Sequence, residues 1–191
     1  MSRKHPLDKA AVVEAAASLL NREGNAGLTL NRLAGMLGVQ TPSLYNHIDG
    51  MPGLLHELAL LNLRLLAERL EAAAIGRSGP EGLKAVAQAY RAYIKDNPGV
   101  YLSSLRASGS QGTPDALKQA GEERVLRTVL IMLGSLGLGG EEAIHVARGL
   151  RSAVHGFATL EIAGGFGLPL DLDESFTWLI GILAPANKFA G

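Results

Sequence analysis

The chain has 191 residues, 47% of them hydrophobic, and its 18 Lys+Arg balance 18 Asp+Glu to a formal net charge of zero. That apolar content excludes a largely disordered chain, and the absence of cysteine excludes disulfides, thiolate zinc sites and cysteine nucleophiles. Zero charge removes the bulk signature of a nucleic-acid binder, so any such function must be carried by local pattern.

The first residues are polar (Ser2, Arg3, Lys4, His5) and no apolar signal segment follows, which predicts a cytoplasmic protein. From Leu7 to Glu23, the residues Val12, Ala15, Ala16, Leu19 and Leu20 recur at helical spacing, and Gly24 and Gly27 end that helix. Thr29 then caps a second helix bearing Leu30, Leu33, Ala34 and Leu37, which Gly38 stops. Thr41-Pro42 opens a third, with threonine as the cap and proline at the first helical position. Leu44, Tyr45 and Ile48 give it an apolar side, and Asp49-Gly50 closes it. Two short helices joined through Gly38-Val39-Gln40 form a helix-turn-helix unit. Leu33, Val39 and Leu44 can fill its small core. Gln40, Thr41, Pro42, Ser43, Asn46 and His47 then face outwards, with short hydrogen-bonding side chains suited to base edges and phosphates.

A long helix is predicted from about Pro52 to Ala74, its surface rich in leucine, from Leu54 through Leu58 and Leu66 to Leu70. Gly76 to Pro80 is a break. Further helices are predicted at roughly 81–96, 99–108, 114–136, 141–164 and 172–184, with a corner at Asn97-Pro98, a mobile loop from Ser108 to Pro114 and a turn from Gly137 to Gly140. The longest apolar run, Phe176 to Ala186, is about half of the ~20 residues that a membrane-spanning helix needs. No alternating β-branched pattern predicts a strand. The fold class is therefore all-α: a DNA-reading domain in residues 1–50, a linking helix at about 52–75, and a larger helical domain over 51–191. No nucleophile–base set stands out. Gly134 to Gly140 lacks the Lys-Ser/Thr of a phosphate loop, and the His145–Glu141 pair has too few ligands for a metal. No enzyme activity, metal or cofactor is expected.

Thr29, Leu33, Ala34, Gly38, Val39, Ser43, Leu44, Tyr45 and His47 fall in one register, and with it the stretch from Leu7 to about Leu58 resembles the tetracycline-repressor (TetR/AcrR) family. The resemblance implies a sequence-specific regulator of transcription that binds double-stranded operator DNA. It implies phosphate contacts from Tyr45 and His47, with Thr29 and Ser43 assisting, and base contacts from Thr41, Pro42 and Asn46. Gln40 belongs to the same face, Asn31 reaches a base or a phosphate, and Arg3 and Lys4 form a phosphate-seeking arm. The alternative is that Tyr45 and His47 merely cap the small core. Three positions depart from the family pattern: Ile48 for a usual phenylalanine, Met51 for a phosphate-binding lysine, and Asn31 for a frequent arginine.

The same resemblance implies a C-terminal domain that binds a small molecule and forms a homodimer through the helices at 141–164 and 172–184. Ala147, Gly149, Ala153, Gly156 and Ala158 would permit close helix approach, either between subunits or within one. Val154-His155-Gly156-Phe157 followed by Leu160-Glu161 is similar to a subclass with a Trp-His-Gly signature, Val154 replacing the tryptophan. Tyr90, Tyr93, Tyr101, Phe157 and Trp178 could line a site for a small hydrophobic ligand, with His155 as a polar tether on the helix face of Thr159, or could equally serve as core. The function implied is a repressor released from its operator by that ligand. The alternatives are an activator, or a ligand-binding or interaction protein whose DNA reader has decayed.

Overall fold

The computed structural model describes residues 7–107 and 115–184; Arg3, Lys4 and the loop expected at 108–114 lie outside them. Among the described residues there is no strand, and no helix is long and apolar enough to cross a membrane. The helices are α1 (Lys9–Glu23), α2 (Leu30–Leu37), α3 (Thr41–Leu44), α4 (Gly50–Ala74), α5 (Gly79–Asp96), α6 (Pro98–Ala107), α7 (Ala116–Gly134), α8 (Gly140–Ile162) and α9 (Leu172–Leu183), with one 3-10 turn at Asn25–Gly27. They form two compact units, one from Met1–Asn62 with Asn97–Asp115, the other from Leu63–Asp96 with Ala116–Gly191.

The first unit is built on the apolar stripe of α1. Val12, Val13, Ala16, Leu19 and Leu20 are buried with Leu28, Leu33, Ala34, Leu44, Ile48, Leu54, Leu58 and Val100. Asp8 caps α1, its carboxylate accepting from the Ala11 N–H at 2.8 Å. Thr29 caps α2 as its position predicts, its hydroxyl accepting from the Arg32 N–H at 3.2 Å. Gly38 ends α2 in the left-handed region, φ +67° and ψ +31°, so that its N–H reaches the Gly35 carbonyl and the Val39 N–H reaches Ala34. This is the double-bonded helix ending that glycine favours.

Two local expectations are corrected. Gln40, not Thr41, is the cap residue of α3, and Thr41 and Pro42 are its first helical residues. Gln40 contributes its extended backbone and its carbonyl, which accepts from Ser43 N–H at 2.9 Å, while its side chain makes no capping bond. The Thr41 hydroxyl is engaged elsewhere, as described below. α4 begins at Gly50, two residues before Pro52. A proline is tolerated there because the first-turn N–H groups have no intrahelical partner to lose.

α6 packs on α1 within this unit, although the sequence places it with everything beyond residue 50. Gly99 makes the approach possible: a Cβ on it would stand 2.0 Å from the Leu20 carbonyl oxygen. Asn21 completes the joint. Its Oδ1 accepts from the N–H groups of Gly99 and Val100, both at 3.1 Å, and its Nδ2 donates to Asn97 Oδ1 at 3.3 Å. The side chain of Asn21 on α1 therefore satisfies two first-turn donors of α6.

The second unit packs α5 against α7, α8 and α9. Leu83, Val86, Ala87, Tyr90, Tyr93 and Ile94 of α5 are buried, as are Leu150, Val154, Phe157 and Ala158 of α8 and Phe176 and Ile180 of α9. Asp171 caps α9, accepting from the N–H groups of Asp173 and Glu174.

Candidate nucleic-acid interface

The short α2–turn–α3 segment separates its residues cleanly by chemistry. Leu33, Ala34, Leu44 and Ile48 are buried, while Thr29, Asn31, Gln40, Pro42, Tyr45 and Asn46 are exposed and Thr41, Ser43 and His47 are half-buried. None of the nine sequence-selected residues is in the core. Tyr45, at 58% exposure, is not a cap on the small core. Backbone bonds of the i to i+3 kind carry the chain from Leu44 to His47, so Tyr45, Asn46 and His47 are presented on a tight turn that prolongs α3. Between the two helices, the Thr41 hydroxyl donates to Asn31 Oδ1 at 2.9 Å.

Among the described residues of this unit, full positive charge is scarce. Lys9 pairs with Glu57 at 2.6 Å, and Arg32 pairs with Glu23 and donates to the Gly27 carbonyl. Arg22 lies against Met36 Sδ. Met51 sits in the first turn of α4, half-buried against the core. The face can therefore offer a polyanion hydroxyl, amide, phenol and imidazole donors, a set able to bind phosphate oxygens and base edges with little net charge.

The residues proposed for a ligand site are distributed over both units. Tyr90, Tyr93 and Phe157 are buried in the second unit, and His155 is half-buried on α8. Burial pushes the Tyr93 phenol up, with Tyr90 adding to the effect, so it stays neutral. Tyr101 is buried in the first unit, on α6. Trp178 is corrected outright as an interior lining residue: it is 73% exposed and borders an open depression of about 410 Å³ with Asp173, Glu174 and Thr177 on the outside of α9. The reason is the phase of α9, which turns Phe176 and Ile180 inward and Trp178 and Ile182 outward. The Thr159 hydroxyl donates to the carbonyls of His155 and Gly156, a bond within its own helix.

Sequence reasoning missed a charged cluster in the same unit. Arg91, whose side chain is 8% exposed, forms a two-pronged pair with Glu161 at 2.7 and 2.8 Å and a further bond to Asp173 at 2.7 Å. Lys95 adds a bond to Glu161 at 2.5 Å. The guanidinium carbon lies 5.1 Å from the Phe157 ring centre and 4.9 Å from that of Phe176. Burial opposes charge on both partners, but their mutual hydrogen bonds and charges prevail. Glu161 is held below the usual carboxylate range, and Arg91 above its ordinary value. The signal was present in the sequence: Arg91 interrupts the apolar stripe of Tyr90, Tyr93 and Ile94.

Residues 83–183 match the family described as tetracyclin repressor-like, C-terminal domain. An uncharacterised helix-turn-helix-type transcriptional regulator of Mycobacterium tuberculosis is 34% identical over 184 residues, covering 96% of this chain and 83% of that protein. A protein of unknown function from Rhodococcus sp. RHA1 superposes with a TM-score of 0.80 at 23% identity, over 96% of each chain. A tetracycline repressor variant from Acinetobacter baumannii AYE, solved in complex with minocycline, superposes with a TM-score of 0.68 at 25% identity, over 94% of this chain and 95% of that one.

Proposed function

Because the chain belongs to the TetR family and is a DNA-binding transcriptional regulator, not an enzyme, we propose that it reads an inverted-repeat operator in the cytoplasm as a homodimer and leaves it when a small hydrophobic ligand binds. The observation that carries the DNA half is the outward polar face of Gln40 to His47 over a closed apolar core. Thr41, Pro42 and Asn46 face bases, Asn31 and Gln40 flank them, and Tyr45, His47, Thr29 and Ser43 contact phosphate. A two-fold dimer of such readers requires half-sites about one helical turn apart.

The exposed sides of α8 and α9 support the dimer. Ala147 and Ala158 pack inside the subunit, but Gly149 and Gly156 on α8 and Gly181 on α9 have nothing within 4 Å of a built Cβ. Leu160, Trp178 and Ile182 are exposed around them. Small residues beside exposed large ones suit a close helix–helix seam. For the ligand, the support is the aromatic interior of the second unit (Tyr90, Tyr93 and Phe157, with His155 as the polar tether) and the minocycline complex of the Acinetobacter relative. Selection of bound duplexes from a random pool tests the DNA half: an enriched inverted repeat is expected, and a pool without enrichment refutes it. Sedimentation tests the dimer, and release of the selected duplex across a small-molecule library tests the ligand.

A further inference from the structure

We propose that Asn31 fixes the hydrogen-bond polarity of Thr41, making its hydroxyl an acceptor towards DNA and selecting a base that presents an amino group in the major groove. The inference rests on the DNA-reading role proposed above and adds to it which chemistry one position reads.

A threonine hydroxyl has one proton and two lone pairs, so by itself it is indifferent between a base donor and a base acceptor. Here the proton is committed. Thr41 Oγ1 donates to Asn31 Oδ1 at 2.9 Å, ten residues back on the neighbouring helix. The competing use of a hydroxyl at a helix start, capping a backbone N–H, is absent because Gln40 occupies the cap position and Thr41 is already helical. Thr41 is half-buried at the lip of the reading face and Asn31 is exposed beside it, so the bridge stands where a groove would close over both. Once the groove excludes water, turning the hydroxyl proton towards a base would strand Asn31 Oδ1 without its partner, a cost that water no longer offsets. What Thr41 offers the base edge is then its lone pairs.

In the major groove the donors are adenine N6 and cytosine N4, whereas guanine O6 and N7 and thymine O4 are acceptors. An acceptor hydroxyl favours adenine or cytosine at the nearer edge and meets guanine or thymine lone pair to lone pair. Asn31 is thus a positioning residue for Thr41. Its own Nδ2 protons remain suited to acceptors, a phosphate oxygen or a guanine edge.

The test uses the full chain and a duplex recovered by random-pool selection. The position governed by residue 41 is the one at which Thr41→Val loses discrimination while Thr41→Ser retains it. Wild type is expected to favour adenine or cytosine there by ~5- to 100-fold over guanine or thymine. Asn31→Ala, which frees the proton, should shrink that ratio to within about 3-fold. Asn31→Asp still accepts from Thr41, so it should keep the ratio while weakening all duplexes alike. A wild-type preference for guanine or thymine would show that Asn31 donates instead and overturn the proposal. An unchanged ratio in Asn31→Ala would remove Asn31 from the readout. If a site is enriched but no position responds to Thr41→Val, this inference fails while DNA reading stands; if no site is enriched, both fail.

Discussion

Three glycine-to-alanine changes in the first unit add the same methyl group and should give three different outcomes. Gly35 lies inside α2, exposed, with nothing within 4 Å of a built Cβ. Gly38 is equally open but sits at φ +67°. Gly99 would place its Cβ 2.0 Å from the Leu20 carbonyl oxygen, 2.3 Å from the Leu20 carbonyl carbon and 2.8 Å from Asn21 N. Gly35→Ala removes only backbone entropy of the unfolded chain and should stabilise by ~0.5–1 kcal/mol. Gly38→Ala clashes with nothing, so its cost is that of the left-handed conformation, ~1–2 kcal/mol.

For Gly99→Ala the obstacle is backbone, which cannot swing aside as a side chain can. Restoring an ordinary carbon–oxygen contact of roughly 3.3 Å means a retreat of α6 by about 1.3 Å. The bonds from Gly99 and Val100 to Asn21 start at 3.1 Å, so that retreat carries both beyond hydrogen-bonding range. Two such bonds contribute ~1–3 kcal/mol, and forced overpacking costs a further ~1–3 kcal/mol. The expected loss is therefore ~2–6 kcal/mol, larger than for Gly38→Ala. Urea denaturation followed by far-ultraviolet circular dichroism reads all three. If Gly99→Ala unfolds within ~0.5 kcal/mol of wild type, the α1–α6 contact is not as close as described; if Gly35→Ala costs as much as Gly38→Ala, conformation is not the deciding factor.

Tyr45→Phe removes the hydroxyl proposed to donate to phosphate and should weaken every operator variant by a similar factor, whereas Asn46→Ala should change the preferred base at one position, at a cost of ~1–3 kcal/mol for the cognate duplex; quantitative binding to a panel of single-base variants separates the two. Met51→Lys should add one phosphate contact per subunit, strengthening binding to all duplexes and steepening the log–log salt slope by about 1.8 for a dimer, measured by titration at several salt concentrations. Glu161→Gln leaves Arg91 with Asp173 alone and should cost ~2–4 kcal/mol, since Asp173 retains part of the pairing. Burial opposes ionisation of Glu161, but Arg91 and Lys95 hold its carboxyl below the usual carboxylate range, so its contribution is present above the ordinary carboxylate value and lost as pH falls through the lowered folded one; Glu161→Gln should lack that part of the acid loss in a pH series of denaturation curves.

How much of this was legible in the sequence depends on how local the determining interaction is. Thr29 and Gly38 were readable because each acts within a turn of its own position: a hydroxyl three residues from the N–H it accepts from, and a glycine in the one conformation that closes the helix. The outward face of Gln40 to His47 was readable for the same reason, since Leu33 and Leu44 set the phase of the segments between them. Assigning the cap to Thr41 failed because the helix starts one residue earlier: Gln40 holds the cap position, Thr41 is already helical, and its hydroxyl turns to Asn31 instead. The docking of α6 was invisible because its determinants, Asn21 and Gly99, are 78 residues apart and neither is unusual in its own neighbourhood. The phase of α9 was legible in principle, as Phe176 and Ile180 are four apart, but counting aromatics towards a pocket obscured that Trp178 stands between them on the other side.

A formal net charge of zero is compatible with a reader whose contacts are made largely by uncharged groups. Lys9 and Arg32 are paired to Glu57 and Glu23 within the first unit, which offsets their charge although both side chains stay about half exposed. On the proposed reading face Asn46 is assigned to a base, and the phosphate contacts fall to hydroxyl, phenol and imidazole groups on Thr29, Ser43, Tyr45 and His47. Such groups hold phosphate by directed hydrogen bonds, and they release fewer counterions than lysine or arginine would. Affinity built this way depends on geometry more than on charge. It therefore depends on the elements that hold the geometry: the Gly38 turn, the Asn31–Thr41 bridge and the Asn21 clamp on α6. A reader of this kind should lose operator affinity through small displacements of α1 against α6 that leave every DNA-facing side chain in place. That makes Gly99→Ala, measured for operator binding at a urea concentration where the protein is still folded, a direct probe of how far recognition here depends on packing.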